Sequence, residues 1–396
     1  MRQFELSTRD SNKVRPGSLA LLALLLLIGL ITIGLLQPQV ANVTQASSAH
    51  APALADGEVT LTLLHNNDGE SGLLPTTSSV GDQEIEVGGA AAFKRVADRE
   101  VADATDAGNA VVMVYAGDAF LASATLQCSL PIDSDKPIYD AIAQRQMPYT
   151  AHILGNHEFD YSPDFLERFI RAFEVNGELT QPFLSTNLDF SGEPGLADLL
   201  DPDGLIVGTP ADGEVLAGSL IYTDPTTGAE FGIVGATTPA LDSVSSPRDV
   251  TVVEDTVAAV QTAIDRLQEQ GVDKIIFVSH LQDVENDQEL IQQLEGVDLA
   301  VAGGGDDFLV NPNVAQDIQL LPGQDAGQIE GDYPLEVTDA AGRTVYIVTS
   351  IDKYRFLGRL DVQFDAEGEV ETIVTEESYP RRVVNAGDVA DSLGIE

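Results

Sequence analysis

Four apolar, strand-like runs in this chain break off into polar residues at their carboxyl ends. "VTLTLLH" (59–65) leads to Asp68. "AVVMVYAG" (110–117) is followed at once by Asp118, and "PYTAHILG" (148–155) by Asn156, His157, Glu158, Phe159 and Asp160. "DKIIFVSH" (273–280) ends on His280 itself. Strands buried on both faces read as continuous apolar runs, and sites in open α/β sheets gather outside the strands' carboxyl ends. Such a pattern delivers carboxylates, an amide and imidazoles to one shared rim.

Helical patterns separate the runs. Residues 88–105, 136–146 and 162–177 read as helices, the last with Ser162 as N-cap and Pro163 in the first turn. Another spans 255–271 and closes at a glycine. "GSLIYTD" and "AEFGIVGATT" read as a hairpin, and 298–305, 343–350 and 356–365 as later strands. Strand and helix alternate early and strands pair locally late, which predicts an α/β fold with a two-sheet core. Cys128 is the only cysteine, so no intramolecular disulfide forms; a small buried hydrophobe is expected there. His65, inside a strand, and His152, on an apolar strand face, are expected to be core residues.

Charge narrows the partners. Acidic residues outnumber basic ones 64 to 20, a formal charge of −44, and only five residues are Lys. Such a surface repels nucleic acid and anionic lipid, and a phosphorylated small molecule approaches only where cations intervene. No obligate protein partner is indicated. The amino-terminal part is a separate object. Arg2, Arg9, Lys13 and Arg15 precede "SLALLALLLLIGLITIGLL" (18–36), an uncharged run of membrane length. Residues 1–36 are expected to form a cytoplasmic flank plus a signal-anchor or transmembrane segment, and 37–57 a flexible linker. The remainder is then exported, to the cell surface or periplasm, anchored in the membrane or secreted.

Asp68, Glu70, Asp118, Asn156, His157, Asp160 and His280 form the rim's chemical inventory. Carboxylates, one amide oxygen and imidazoles suit divalent cations. A strand-end Asp bridges two ions through its two oxygens, and two ions clamp a phosphoryl group and acidify a bound water. In Asn156-His157 the amide ligates while the imidazole faces the substrate. Asp160 accepts a hydrogen bond from that imidazole and holds its tautomer.

"LTLLHNNDGES", "VYAGDAFLAS", "LGNHEFDYS", "FGIVGATTP", "VSHL" and "VDLAVAGGG", in this order, resemble the 5′-nucleotidase branch of the calcineurin-like metallophosphoesterases. The match spans roughly 58–380. The resemblance implies a four-layer α/β/β/α sandwich of the metallo-dependent phosphatase type. It implies that Asp118 bridges two metals, that Asn156 and His280 ligate the second, that His157 is the catalytic imidazole and that Asp160 orients it. It also implies an exported hydrolase of phosphomonoesters, nucleotides among them, acting through a metal-activated water. With the match ending near 380, the catalytic domain is expected at 58–380 and a tail at 381–396, without the family's nucleoside-binding domain.

The chain departs from the family at two motifs. Asp-x-His becomes Asp68-Gly69-Glu70, and Gly-Gly-His-x-His or Gly-Gly-His-x-Gln becomes "GGGDD" (303–307), with Gly305 in place of a ligating imidazole. The expected metal ligands are then Asp68, Glu70, Asp118, Asn156, His280 and Asp307, with Asp306 beside the last. One imidazole among oxygens favours two Mn²⁺, Mg²⁺ or Ca²⁺ ions over zinc. Two other readings remain open: a phosphodiesterase of the same fold, and a surface-anchored binding module that has lost its ligand set.

Overall fold

Two stacked sheets put the strand ends on one rim. The computed structural model describes residues 57–80, 83–131, 135–351 and 353–385. The apolar run at 18–36 and the linker before 57 lie outside the described residues. Among the described residues no helix is long and apolar enough to cross a membrane.

The first sheet runs, edge to edge, Val370–Ile373, Phe356–Phe364, Val59–Asn66, Ala110–Tyr115, Ala151–Ile153, Phe183–Leu184 and Leu216–Ala217. From Val59–Asn66 onward its neighbours are parallel. The second runs Leu335–Thr338, Thr344–Val348, Leu299–Val301, Ile275–His280, Glu230–Thr237, Ser219–Thr223 and Leu205–Val207. Its four central strands are parallel. The expected hairpin is there, Ser219–Thr223 antiparallel to Glu230–Thr237.

Period-2 alternation sorts each strand's side chains between two cores. Leu61, Leu63, Val112, Val114 and Ile153 meet Ile233, Ile276, Val278, Leu299 and Val301 between the sheets. The opposite face of the first sheet, with Leu64, Met113 and Tyr115, packs on the helices Ala90–Ala107 and Pro163–Arg171 through Phe93, Phe165 and Phe169. The second sheet's outer face, with Val234, Ile275 and Phe277, packs on Thr256–Glu269 and Val284–Ile291. Helices therefore cover both outer faces, which is the α/β/β/α sandwich. Each fully buried aliphatic or aromatic side chain contributes about 1.5–3 kcal/mol.

Polar bonds zip the two sheets together at the rim. Thr237 Oγ1 donates to the Leu154 carbonyl at 2.6 Å, and Asn187 Nδ2 to the Thr237 carbonyl at 2.7 Å. Thr237 lies beside His280 in the ladder, and His280 Nδ1 donates across to the Ala116 carbonyl at 2.7 Å.

Packing continues beyond 380. Arg381–Arg382 pairs with Phe356 and Leu357, and Val384–Asn385 with Glu86 and Val87. Two expectations need correction. Ser162 does occupy the N-cap position, but with φ 84° its hydroxyl makes no cap hydrogen bond. Cys128 is exposed, not buried: in the turn Leu126–Cys128, Leu126 takes the core position and Cys128 faces out. His65 and His152 are core residues. His65 Nε2 meets Tyr333 Oη at 2.8 Å and His152 Nε2 meets Gln181 Oε1 at 2.9 Å. Burial pushes His65 down to about 3 and His152 to about 4, so both stay neutral.

Candidate metal centre

Three of the expected ligands converge. Asp68, Asp118 and His280 are buried, and one ligand atom from each lies within 4.8 Å of the others. Asp68 and Asp118 follow parallel strands on turns with φ 50° and 61°. Left-handed backbone costs a non-glycine residue roughly 1–2 kcal/mol, and such strain is concentrated at functional sites. Glu70 and Ser71 share it, with φ 44° and 57°. The loop at 66–71 is laid along the turn after Ala110–Tyr115 by three backbone bonds: Asp68 N to Gly117 O, Glu70 N to Asp118 O and Ser71 N to Ala119 O. Gly69 fits under two tyrosine hydroxyls, since a Cβ there would meet Tyr115 Oη and Tyr354 Oη at 2.7 Å. Gly304, with φ 90°, brings its N–H to Asp68 Oδ2 at 3.2 Å, and a Cβ there would meet His280 Nε2 at 2.7 Å.

The electrostatics fit a divalent cation. His280 Nε2 is buried and lies 2.9 Å from Asp118 Oδ2. Burial pushes Asp68 up to about 7, with the Asp118 charge adding to it and His280 opposing. Burial alone would raise Asp118 too, but the His280 and His157 imidazoles hold it below the usual range. Burial lowers His280, yet Asp118 and Asp68 carry it up to about 10. Without an ion, Asp68 and His280 are the groups that take up protons here. A divalent cation would displace those two protons and meet an Asp118 carboxylate that is already ionised.

The fourth strand end completes the arrangement. His157 Nδ1 is 2.7 Å from Asp160 Oδ2, its backbone N–H donates to Asp118 Oδ1 at 2.8 Å, and Nε2 lies 3.9 Å from Asp118 Oδ2. The Asp160 bond is the main reason His157 rises to about 9. Ser245 Oγ donates to the other Asp160 oxygen at 2.9 Å. Asn156 is buried beside them, its Oδ1 accepting from Gln282 Nε2 at 2.6 Å.

Two expected ligands stand apart from this group. Glu70 Oε2 pairs with Lys353 Nζ at 3.2 Å. Asp307 groups with Asp283 and Glu285, and its Oδ2 accepts from Val284 N at 3.2 Å. A Cβ on Gly305 would meet that same oxygen at 2.7 Å. Asp306 is exposed and lines a cavity of about 610 Å³ with Phe308, Ile351 and Arg355.

Glu158 escaped the sequence reading. It is 2 % exposed and accepts three backbone N–H bonds: Asp118 N at 2.9 Å, Ala119 N at 2.6 Å and Gly155 N at 2.7 Å. One carboxylate thus pins the turn carrying Asp118 to the loop carrying Asn156 and His157. Burial, with the Asp118 charge adding to it, pushes it up to about 7. A glutamate enclosed by Gly155, His157 and Phe159 was the available signal.

No protein-family model matches the chain. A probable 5′-nucleotidase of Treponema pallidum is 28 % identical over 324 residues, covering 80 % of this chain and 47 % of that protein. The crystal structure of a 5′-nucleotidase precursor from Thermus thermophilus superposes with a TM-score of 0.63 at 28 % identity, covering 82 % of this chain and 55 % of that one. A calcineurin-like phosphoesterase of Bacillus subtilis shares the fold, with a TM-score of 0.52 at 17 % identity over 85 % of this chain and 97 % of that one. The chain spans about half the length of the curated relatives it matches. In sequence and in fold the chain is a relative of the 5′-nucleotidase branch of the calcineurin-like metallophosphoesterases.

Proposed function

We propose that this chain is a metal-dependent phosphoric ester hydrolase acting on nucleotides. One observation carries the reading: an oriented imidazole, His157 on Asp160, faces the same Asp118 that closes the group with Asp68 and His280. The substrate class comes from relatives named 5′-nucleotidase and apyrase.

Asp68, Asp118 and His280 would hold a divalent ion, with the Asn156 amide beside them. Two carboxylates and one imidazole favour Mn²⁺, Mg²⁺ or Ca²⁺ over zinc. When bound, the ion neutralises phosphoryl oxygens and acidifies a water. The chain's own residues do the rest. Asp160, steadied by Ser245, accepts a hydrogen bond from the Nδ1–H of His157, which leaves Nε2 for the substrate. Protonated at neutral pH, His157 donates to the phosphoryl group or the leaving oxygen. Glu158 keeps Asp118 and His157 in register. A second ion requires Glu70 or Asp307 to leave its present partner. Within this reading 58–380 is the catalytic region, and its export rests on the apolar run at 18–36 alone.

The test is phosphate release with Mn²⁺ from nucleoside monophosphates, other monoesters and a diester. Release from monoesters supports the proposal. Diester hydrolysis alone moves the chain to the phosphodiesterases, and no hydrolysis with metal bound makes it a binding module.

A further inference from the structure

Lys353 sits against the metal centre with a backbone that needs explaining. It and Tyr354 are consecutive non-glycine residues in the left-handed region, with φ 61° and 55°. The kink is held from three sides. Lys353 N donates to the Asp68 carbonyl at 2.8 Å. Tyr354 is buried, its ring meets Phe93 edge-on at 5.3 Å, and its hydroxyl accepts from Gln144 Nε2 at 3.0 Å. A Cβ on Gly72 would lie 2.8 Å from the Lys353 Cβ, so the segment lies directly on the 68–72 loop. The outcome of this bracing is an ammonium 3.2 Å from Glu70 Oε2.

Glu70 follows Asp68 by two residues, on the loop that supplies the first carboxylate of the metal group. An ammonium held there is a positive charge paired with Glu70, on the loop that leads out of the Asp68, Asp118 and His280 group. In a chain of net charge −44 with only five Lys, that is a scarce resource. Lysine is a compact, strongly hydrated point charge and binds phosphate as such.

We propose that Lys353, braced on Glu70, is a built-in cation of this site: its ammonium stands where a second metal ion would use Glu70 and supplies that ion's charge to the substrate's phosphate. Glu70 is then the counter-ion of Lys353 and not a metal ligand, and the centre takes one divalent ion. This rests on the proposed function for its substrate, but its test needs no turnover.

The experiment titrates the full chain with Mn²⁺ alone by calorimetry, then with inorganic phosphate at one equivalent of Mn²⁺ and at excess. Wild type and Lys353→Arg should bind one Mn²⁺ and retain phosphate. Lys353→Met frees Glu70 and should bind a second Mn²⁺. Its phosphate affinity should fall at least tenfold at one equivalent of Mn²⁺ and recover in excess Mn²⁺. Glu70→Gln should leave the affinity for the first Mn²⁺ within about threefold. Two ions bound by wild type, a tenfold loss of that affinity in Glu70→Gln, or unchanged phosphate binding in Lys353→Met would each overturn the proposal. A chain that behaves as expected here yet hydrolyses no phosphoester overturns the proposed function only.

Discussion

Replacing Glu158 with Gln isolates what one buried carboxylate does for this site. The side chain keeps its size, but one acceptor oxygen becomes an NH₂ group. If the amide nitrogen takes the Oε1 place it opposes Ala119 N–H. In the Oε2 place it opposes both Asp118 N–H and Gly155 N–H. At least one buried backbone donor is therefore left facing another donor, at about 1–3 kcal/mol for each unsatisfied group. Burial has already pushed the carboxyl up to about 7, so removing a costly charge returns part of the loss. The expected net destabilisation is about 2 kcal/mol, within the roughly 5–15 kcal/mol that holds a folded domain. The variant should fold, unfold at lower denaturant in urea, and bind Mn²⁺ at least tenfold more weakly because the Asp118 turn is no longer pinned. Stability within about 0.5 kcal/mol of wild type, the range of ordinary surface substitutions, would refute the reasoning.

His157→Ala should lower turnover by at least two orders of magnitude with metal content unchanged; near-normal turnover removes its role. Mn²⁺ affinity should rise with pH. Asp68 and His280 hold protons up to about 7 and about 10, and the ion must displace them, up to tenfold in affinity per pH unit for each proton released. Calorimetry in buffers of different ionisation enthalpy counts those protons, and none released between pH 6 and 8 contradicts the shared-proton account. Melting temperature should rise between low and molar NaCl as the −44 surface is screened; a flat or falling curve removes that argument.

The strands and their polar ends were legible because buried parallel strands are unbroken apolar runs, so the point where apolarity stops is the rim. His157 and Asp160 were legible because three residues of one short turn bring their side chains together. The work of Glu158 was not, since its partners are backbone N–H groups on two separate turns, and backbone donors leave no trace in residue types. Lys353 was hidden for a related reason: it meets Glu70 only because the two strands flanking the loops at 66–71 and 350–355 are neighbours in one sheet. Asp307 is the converse case. The resemblance put it on a ligand position of the family's late motif, but the loop turns its carboxylate to Val284 N and the exposed acids Asp283 and Glu285.

Asp118 meets both His157 and His280 and groups with Asp68, so Asp118→Asn tests the centre most directly. Wild type, stripped with chelator, should release no phosphate from a nucleoside monophosphate and recover on adding Mn²⁺. Asp118→Asn, measured side by side, should bind Mn²⁺ at least a hundredfold more weakly and stay inactive at the concentration that restores wild type. Hydrolysis by the chelated wild type, or an Asp118→Asn chain that binds Mn²⁺ and turns over like wild type, would contradict the account.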